Sequence, residues 1–175
     1  MAGAERGVLS FMIGCEDPVE AAPDSHVSRA AGVIRHMANP ERMFFTGTLC
    51  GGLGAKIANN YTAICIILAT AEAMSFGIRT GVQPRKLYDI IKASSGSSWH
   101  LDHMPCMPDI VPTAPSSNGY KPSFKPFMAA KDLGLGVEAA KEVGIEPVCG
   151  EAALRTYSQL AEDPRFKVSH RLPHS

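Results

Sequence analysis

The chain has 175 residues, a length that allows one domain or one domain with part of another. Its 17 Lys and Arg residues balance its 17 Asp and Glu residues. No basic field therefore covers the whole chain, and we expect no nucleic acid partner. Hydrophobic residues make up 45 % of the chain, which is enough for a packed core and too much for a disordered protein.

The five cysteines predict neither a disulfide framework nor a zinc site, because their number is odd and no two form a C-x-x-C pair. We therefore expect no metal and a reducing, intracellular compartment. The longest apolar run, residues 61–71, has 11 residues, which is too short to cross a bilayer and predicts no membrane span. Residues 1–14 lack a basic region ahead of an apolar stretch, so we expect no targeting segment in this chain.

The N-terminal part predicts a strand, a helix and a second strand. Residues 8–13 form a short apolar run that is typical of a strand, and the acidic residues 16–25 predict a loop. Apolar residues recur at helical spacing over 26–38, and Pro40 ends this predicted helix. Residues 43–45 predict a second short strand, so this part alone is too small to close a sheet.

A long helix is predicted next. Four glycines at positions 47, 51, 52 and 54 form a flexible entry to it, and residues 53–78 contain no proline and little charge. Because this segment is apolar on nearly every face, it predicts a buried helix about 40 Å long.

Proline positions, capping residues and helical spacing predict the remaining segments. They are a helix over 84–93, a turn over 94–98, a proline-rich loop over 105–120, a helix capped by Ser123 that runs to Val143, and a last helix over 151–161. Residues 48–165 are therefore predicted to be all-α.

The first candidate site lies at the start of the long helix, where Lys56 and Asn60 are four residues apart and share one helical face. The positive field of the helix N-terminus, together with burial, favours the neutral amine of a lysine, the form that accepts a proton. An asparagine beside it offers a donor and an acceptor for a hydroxyl or carboxylate. The plainer interpretation, that glycines begin a buried helix and Lys56 extends to solvent, is favoured on spacing alone.

The second candidate site lies at residues 124–132, where Phe124 and Lys131 share one predicted face and Asp132 is adjacent. A lysine at this place suits a phosphate or an amide-bearing ring. The plainer interpretation is an amphipathic core helix with an ordinary surface Lys-Asp pair, and the pattern by itself favours it.

Two short patterns are rejected as sites. Residues 134–139 match G-x-G-x-x-[GA], but they lie inside a helical pattern rather than between a strand and a helix, so we predict no dinucleotide loop there. His100 and His103 have a metal-like spacing without an evident third ligand, so we predict solvated loop histidines and no metal site.

Four motifs in order carry a resemblance to a known family. Together they resemble the C-terminal part of the 3-hydroxyisobutyrate dehydrogenases, within the β-hydroxyacid dehydrogenase family, over roughly residues 2–165. The motifs are GLGAKIANN at 52–60, TAEAM at 70–74, SSGSSW at 94–99 and KDLGLGVEAAK at 131–141.

The resemblance implies a mainly α fold. It consists of an all-helical C-terminal domain, like that of 6-phosphogluconate dehydrogenase, built on one long helix and preceded by a β-α-β remnant of a Rossmann domain. The implied parts are a remnant of the NAD(P)-binding domain at 1–47, a helical cofactor-binding and dimerisation domain at 48–166, and a tail at 167–175. The resemblance also implies a homo-oligomer, or pairing with a full-length paralogue, through the long helix.

The implied activity is oxidation of a β-hydroxyacid in valine catabolism, with NAD or NADP as cofactor and a mitochondrial location. By motif match, Lys56 is the catalytic acid/base, Asn60 binds substrate, Lys131 contacts the cofactor, and Phe124 and Asp132 line the substrate pocket.

The family's glycine-rich cofactor loop and its Ser-Gly-Gly substrate loop would both precede residue 1. The resemblance therefore implies a truncated form without turnover of its own. The alternative is a non-catalytic helical module for dimerisation or interaction.

Overall fold

The structure is a computed structural model that describes residues 9–15, 25–120 and 124–166. The expected start of the first strand at Val8, the cap at Ser123 and the tail after Phe166 lie outside the described residues. The chain divides into two compact units, Met1–Asn59 and Asn60–Ser175.

In the first unit a helix connects two parallel strands. Strand β1 spans Leu9–Ile13, helix α1 spans His26–Ile34, and strand β2 spans Ala38–Phe45. Phe11, Met12 and Ile13 pair with three consecutive residues of β2, from Met43 to Phe45, and an irregularity precedes Phe11. The described residues thus confirm the predicted strand, helix and strand.

The end of the predicted helix at position 38 is wrong. Helix α1 ends at Ile34, and β2 already begins at Ala38. The physical reason is Pro40, since a proline disfavours the helical conformation of the residue before it and moves the chain to extended backbone. The strand therefore starts five residues before the predicted one.

The long helix α2 spans Gly51–Arg79, about 43 Å at 1.5 Å per residue. It begins two residues earlier than predicted, because glycine allows its first turn to approach the end of β1. A Cβ atom at Gly52 would lie 2.6 Å from the carbonyl oxygen of Met12 and 2.7 Å from the backbone nitrogen of Gly14. Gly52 is thus required for packing at this end of the helix.

Helix α2 is less covered than the sequence predicts. Within this fully described helix, Gly52, Ile64, Met74 and Gly77 are buried, while the other side chains are half-buried or exposed. By length and composition α2 could cross a membrane, with a mean hydropathy of 1.6 over a window that is 17 % buried. The apolar run at 61–71 is only part of this helix, so the expectation that the apolar segment is too short to cross a bilayer was wrong. Core helices of globular proteins share these properties, so they do not assign a membrane.

The second unit adds short and medium helices after α2. They are α3 at Pro84–Lys92, α4 at Trp99–His103, a 3₁₀ turn at Pro115–Asn118, α5 at Pro126–Glu142 and α6 at Val148–Glu162. The predicted helix at 84–93 is confirmed to within one residue. The helix predicted to follow a cap at Ser123 and run to Val143 ends within one residue of its predicted end, but its N-cap is Lys125, so it begins two residues later than predicted. The last helix begins three residues before its predicted start.

Two hydrophobic clusters hold α2 to the later elements. Its first half packs against α5 and α6 through Ile64, Leu133 and Ala153, and Ala129 completes this cluster. Its second half packs against α3, α4 and the proline-rich loop through the buried residues Met74, Tyr88, Leu101 and Ile110. The loop at 105–120 is thus ordered by packing.

The side chain of Tyr61 fills the closest contact between α2 and the helices α5 and α6. A Cβ atom at Gly136 would lie 2.8 Å from Tyr61 Cδ2, and one at Gly150 would overlap the tyrosine ring. The backbone N–H of Gly150 donates to Tyr61 Oη at 2.8 Å. Gly136 belongs to the rejected glycine pattern, and it serves helix packing inside α5.

We expect Gly150→Ala to lower the free energy of unfolding by about 1–3 kcal/mol, because the added methyl group overlaps the Tyr61 ring. The matched control is Gly134→Ala in α5, where nothing lies within 4 Å of the added Cβ. The control should gain roughly 0.5–1 kcal/mol from the better helix propensity of alanine. Urea unfolding of both variants measures the difference, and equal effects would contradict the packing assigned to Tyr61.

An ion pair that links α5 to α6 predicts a pH effect. Lys141 Nζ lies 2.6 Å from Glu151 Oε1, and the lysine lowers the pKa of Glu151 from its ordinary value of 4.5 by hydrogen bonding and charge. The unfolded state then binds more protons, so this stabilisation is present above about pH 5 and is lost as the pH falls through the folded-state pKa.

Lys141→Gln should therefore weaken the pH dependence of the thermal midpoint below pH 5. The control Lys86→Gln removes a charge from exposed α3 and should leave it unchanged. In a Glu151→Gln background the effect of Lys141→Gln should vanish. Persistence of the effect in that background would exclude this pair as its source.

Candidate functional site

Lys56 is the sixth residue of α2 and is exposed. The structure thus confirms the plainer interpretation, in which Lys56 extends to solvent, and corrects the alternative that placed this lysine in the first turn and partly buried. The early start of α2 at Gly51 moves Lys56 to the second turn, where the field of the helix N-terminus has declined. What the position offers is an accessible amino group, and Asn60 follows one helical turn later.

Asn60 is held by a contact between distant parts of the chain. Its Nδ2 donates to Asp132 Oδ2 at 3.0 Å, across 72 positions of sequence. Asn60 lies on α2 and Asp132 lies on α5, so this bond joins the two helices beside the hydrophobic cluster that they share. The structure therefore brings together two of the predicted substrate residues.

Lys131 forms an ion pair with its neighbour, with Nζ 2.6 Å from Asp132 Oδ1. The lysine side chain is 63 % exposed, whereas that of Asp132 is only 16 % exposed. The pair therefore differs from the ordinary surface pair of the plainer interpretation, because its carboxylate is mostly buried and also holds Asn60. One carboxylate connects a predicted substrate residue to a predicted cofactor residue.

Phe124 lies two residues before α5, so the expectation that it shares a helical face with Lys131 is wrong. Lys125 has extended backbone and Pro126 is the first helical residue, which together prevent the helix from reaching Phe124. The ring of Phe124 is 46 % exposed. Its role as a pocket residue stays a prediction.

The motif SSGSSW ends in a short helix that the sequence argument missed. Ser98 caps α4 by accepting from the backbone N–H of Leu101 at 3.1 Å. The helix carries Trp99 and His103 with their rings stacked at 4.4 Å, and His103 Nδ1 lies 2.9 Å from the Trp99 carbonyl oxygen. Partial burial lowers the pKa of His100. A serine N-cap directly before Trp99 is the sequence signal that could have predicted this short helix.

The two histidines therefore lie in a helix, and their assignment to a loop was wrong. Their spacing does not assemble a metal centre within the described ranges, where no group of three His, Cys, Asp or Glu side chains is placed to hold a metal ion. A groove of about 580 Å³ between α5 and α6 includes Lys141, Glu151 and Arg155 in its lining. None of the predicted site residues lines that groove.

Residues 51–167 match the family model described as NAD-binding of NADP-dependent 3-hydroxyisobutyrate dehydrogenase. The chain belongs to this family. The match covers all of α2 and every later helix, so the helices that carry Lys56, Asn60, Lys131 and Asp132 belong to an NAD-binding domain. The predicted resemblance is confirmed.

The chain is similar to whole dehydrogenases over part of their length. It is 34 % identical to 3-hydroxyisobutyrate dehydrogenase of Pseudomonas aeruginosa over 91 % of this chain and 51 % of that protein. It is 33 % identical to the NAD-dependent L-serine dehydrogenase of the same organism, covering 50 % of that protein. The mouse mitochondrial 3-hydroxyisobutyrate dehydrogenase is also 33 % identical, with 44 % covered. The chain thus spans about half the length of these relatives.

A solved structure supports the fold. The chain superposes on Mycobacterium tuberculosis 3-hydroxyisobutyrate dehydrogenase with L-serine at a TM-score of 0.81 and 30 % identity. That superposition covers 93 % of this chain and 53 % of the other. The mainly helical fold is therefore confirmed for the described residues.

The chemistry of one predicted residue, Lys131, is compatible with a dinucleotide. Lys131 presents an exposed ammonium with three donors, which suits a phosphate or a carboxamide oxygen. Asp132 holds that ammonium from its buried side, so the exposed side of Lys131 remains directed to solvent.

Proposed function

We propose that this chain supplies the helical half of an NAD-dependent dehydrogenase that oxidises a β-hydroxyacid of the 3-hydroxyisobutyrate class. The observation that carries the proposal is the connection of Asn60, Asp132 and Lys131 in a chain of this family. Lys56 lies one helical turn before Asn60 on the same helix. A β-hydroxyacid presents both a hydroxyl and a carboxylate, and L-serine, named with two relatives, is one of them.

The cofactor of the proposed reaction is NAD, which when bound accepts a hydride from the substrate carbon. Lys131 would hold it through charge-assisted hydrogen bonds from its exposed ammonium. NADP is the alternative, and the residue that distinguishes the ribose 2′ position belongs to the dinucleotide-binding half of such enzymes. The pathway we propose is valine catabolism, as the 3-hydroxyisobutyrate class implies.

Each predicted residue has one role in this proposal. Lys56, as the neutral amine, accepts the proton of the substrate hydroxyl at its Nζ, which its exposed position on α2 leaves accessible. Asn60 orients the substrate through its amide, and Phe124 presents an exposed ring to the apolar side of the substrate. Catalysis then depends on holding the hydroxyl between a proton acceptor and the hydride acceptor.

We further propose that residues 48–166 form a helical domain like that of 6-phosphogluconate dehydrogenase, and that 1–47 belongs to a Rossmann domain. The parallel β1-α1-β2 arrangement supports the second part, because parallel strands with a helical crossover are the building unit of that domain. Without a glycine-rich loop between a strand and a helix, residues 1–175 alone are expected to have no turnover. Mitochondrial location stays a prediction.

A second candidate is a non-catalytic module for dimerisation or interaction. The exposed apolar side chains of α2, including Leu53 and Phe76, favour an association through this helix. A homo-oligomer and a pair with a full-length paralogue both suit that surface. The two candidate functions differ in whether Lys56 matters, which makes its substitution decisive.

The first test measures the affinity of residues 1–175 for NADH by fluorescence titration. Lys131→Ala should weaken binding about tenfold, because a hydrogen bond to a charged group is lost. Lys86→Ala removes an exposed lysine from α3 and should leave the affinity unchanged. Equal affinity of the two variants would contradict the role of Lys131.

The second test is activity in a hybrid that joins this chain to the remaining half of the Pseudomonas aeruginosa 3-hydroxyisobutyrate dehydrogenase. We expect NADH formation from 3-hydroxyisobutyrate, and Lys56→Ala should lower kcat about 10²–10⁴-fold while NADH binding is retained. Circular dichroism confirms folding of each hybrid. A folded, NADH-binding hybrid whose activity survives Lys56→Ala would refute the proposed chemistry. Association without activity, indifferent to this substitution, would support the module.

A further inference from the structure

We propose that Asp132 is a positioning residue that fixes the orientation of the Asn60 amide, with Lys131 holding the carboxylate in place, and that it does not itself contact substrate. This inference deepens the proposed function and rests on it for the roles of Asn60 and Lys131. It differs from the sequence prediction, which placed Asp132 in the lining of the substrate pocket. The observation behind it is that the two oxygens of one mostly buried carboxylate have separate partners.

Each oxygen of the Asp132 carboxylate has its own partner. Oδ1 of Asp132 lies 2.6 Å from Lys131 Nζ, and Oδ2 accepts from Asn60 Nδ2 at 3.0 Å. The Asp132 side chain is 16 % exposed, so little of it is available to a further ligand. Its contacts are with the side chains that flank it on α2 and α5, which is the arrangement expected of a residue that acts through others.

The carboxylate decides which way the Asn60 amide turns. An asparagine amide has a donor end and an acceptor end of nearly the same shape, and rotation by half a turn exchanges them. An ionised carboxylate can only accept, so it favours the orientation that directs Nδ2 toward Asp132. The carbonyl oxygen of Asn60 is then directed away from Asp132. A ligand that approaches the Asn60 amide from the side opposite Asp132 therefore meets its carbonyl oxygen first.

The ion pair with Lys131 holds the Asp132 carboxylate in the orientation in which it accepts from Asn60. Lys131 and Asp132 are consecutive residues of α5, so the pair closes locally and draws Oδ1 toward the exposed lysine. With Oδ1 held, Oδ2 is directed to the other helix and reaches Asn60. A residue predicted to meet the cofactor is thereby connected to a residue predicted to meet the substrate, through a single rigid group.

The main test uses nuclear magnetic resonance of residues 1–175 with ¹⁵N-labelled asparagine. The side-chain amide signal of Asn60 is identified by its loss in Asn60→Ser. Asp132→Leu should shift this signal, because its acceptor is removed, while Asp132→Glu should retain most of the original shift. The matched control is Asp89→Asn on α3, whose carboxylate pairs with Arg85 at the surface and should leave the Asn60 signal unchanged. This readout requires no turnover.

Lys131→Met provides a second variant with little risk to folding, since this side chain is exposed. It should broaden or shift the Asn60 signal although neither Asn60 nor Asp132 is changed. An Asn60 signal that is unaffected by both Asp132→Leu and Lys131→Met would overturn the proposal, whether or not the hybrid enzyme is active.

Kinetics of the hybrid enzyme separate positioning from direct contact. Asp132→Asn offers Asn60 both a donor and an acceptor, so the amide orientation is released. We expect the KM for the hydroxyacid to rise about tenfold with a smaller change in kcat, and Asp132→Glu to restore most of the loss. A rise in KM without a shift of the Asn60 signal would show that Asp132 contacts substrate itself and would overturn the positioning role. A hybrid without activity would instead argue against the proposed function and leave the amide signal as the decisive measurement.

Discussion

The closest packing in the second unit is the insertion of the Tyr61 ring between Gly136 of α5 and Gly150 of α6. Glycine is needed at both places because a side chain there would occupy the space of the ring. The hydrogen bond from Gly150 to the tyrosine hydroxyl closes the same contact. Ile64, one turn further along α2, then joins the hydrophobic cluster with α5 and α6, so one aromatic side chain sets the separation of three helices.

That contact also determines the candidate site, because Asn60 is the residue immediately before Tyr61. Once the ring is seated, the backbone of α2 is fixed at this point, and the Asn60 side chain meets Asp132 on α5. The apolar contact supplies the stability, and the polar contact beside it supplies a defined orientation of a functional amide. The packing residue Tyr61 and the candidate site residue Asn60 are thus adjacent on one helix. We expect a substitution that changes the position of the Tyr61 ring to alter the position of Asn60.

The apolar surface of α2 is buried at some places along the helix and exposed at others. Around Ile64 and Met74 the apolar surface of α2 is buried in two separate clusters, one with α5 and α6 and one with α3, α4 and the proline-rich loop. Elsewhere large side chains such as Leu53 and Phe76 remain exposed. Exposed apolar surface of this kind is typical of interaction sites.

The sequence by itself determined the helical class, the β-α-β start, the bounds of α3 to within one residue, and the family. It did so because helix periodicity and chain breakers are local properties, and because four ordered motifs are specific. It did not predict α4, whose five residues are too few to show a period.

Only the tertiary structure decided that Asn60 and Lys131 share one carboxylate. Spacing along the chain shows which residues share a helical face, whereas the partner of that face is chosen by packing between elements 72 residues apart. Tyr61 packs against two glycines beside this contact, and the contact itself makes a Lys-Asp pair that the sequence suggested was ordinary into a connection between two predicted binding residues.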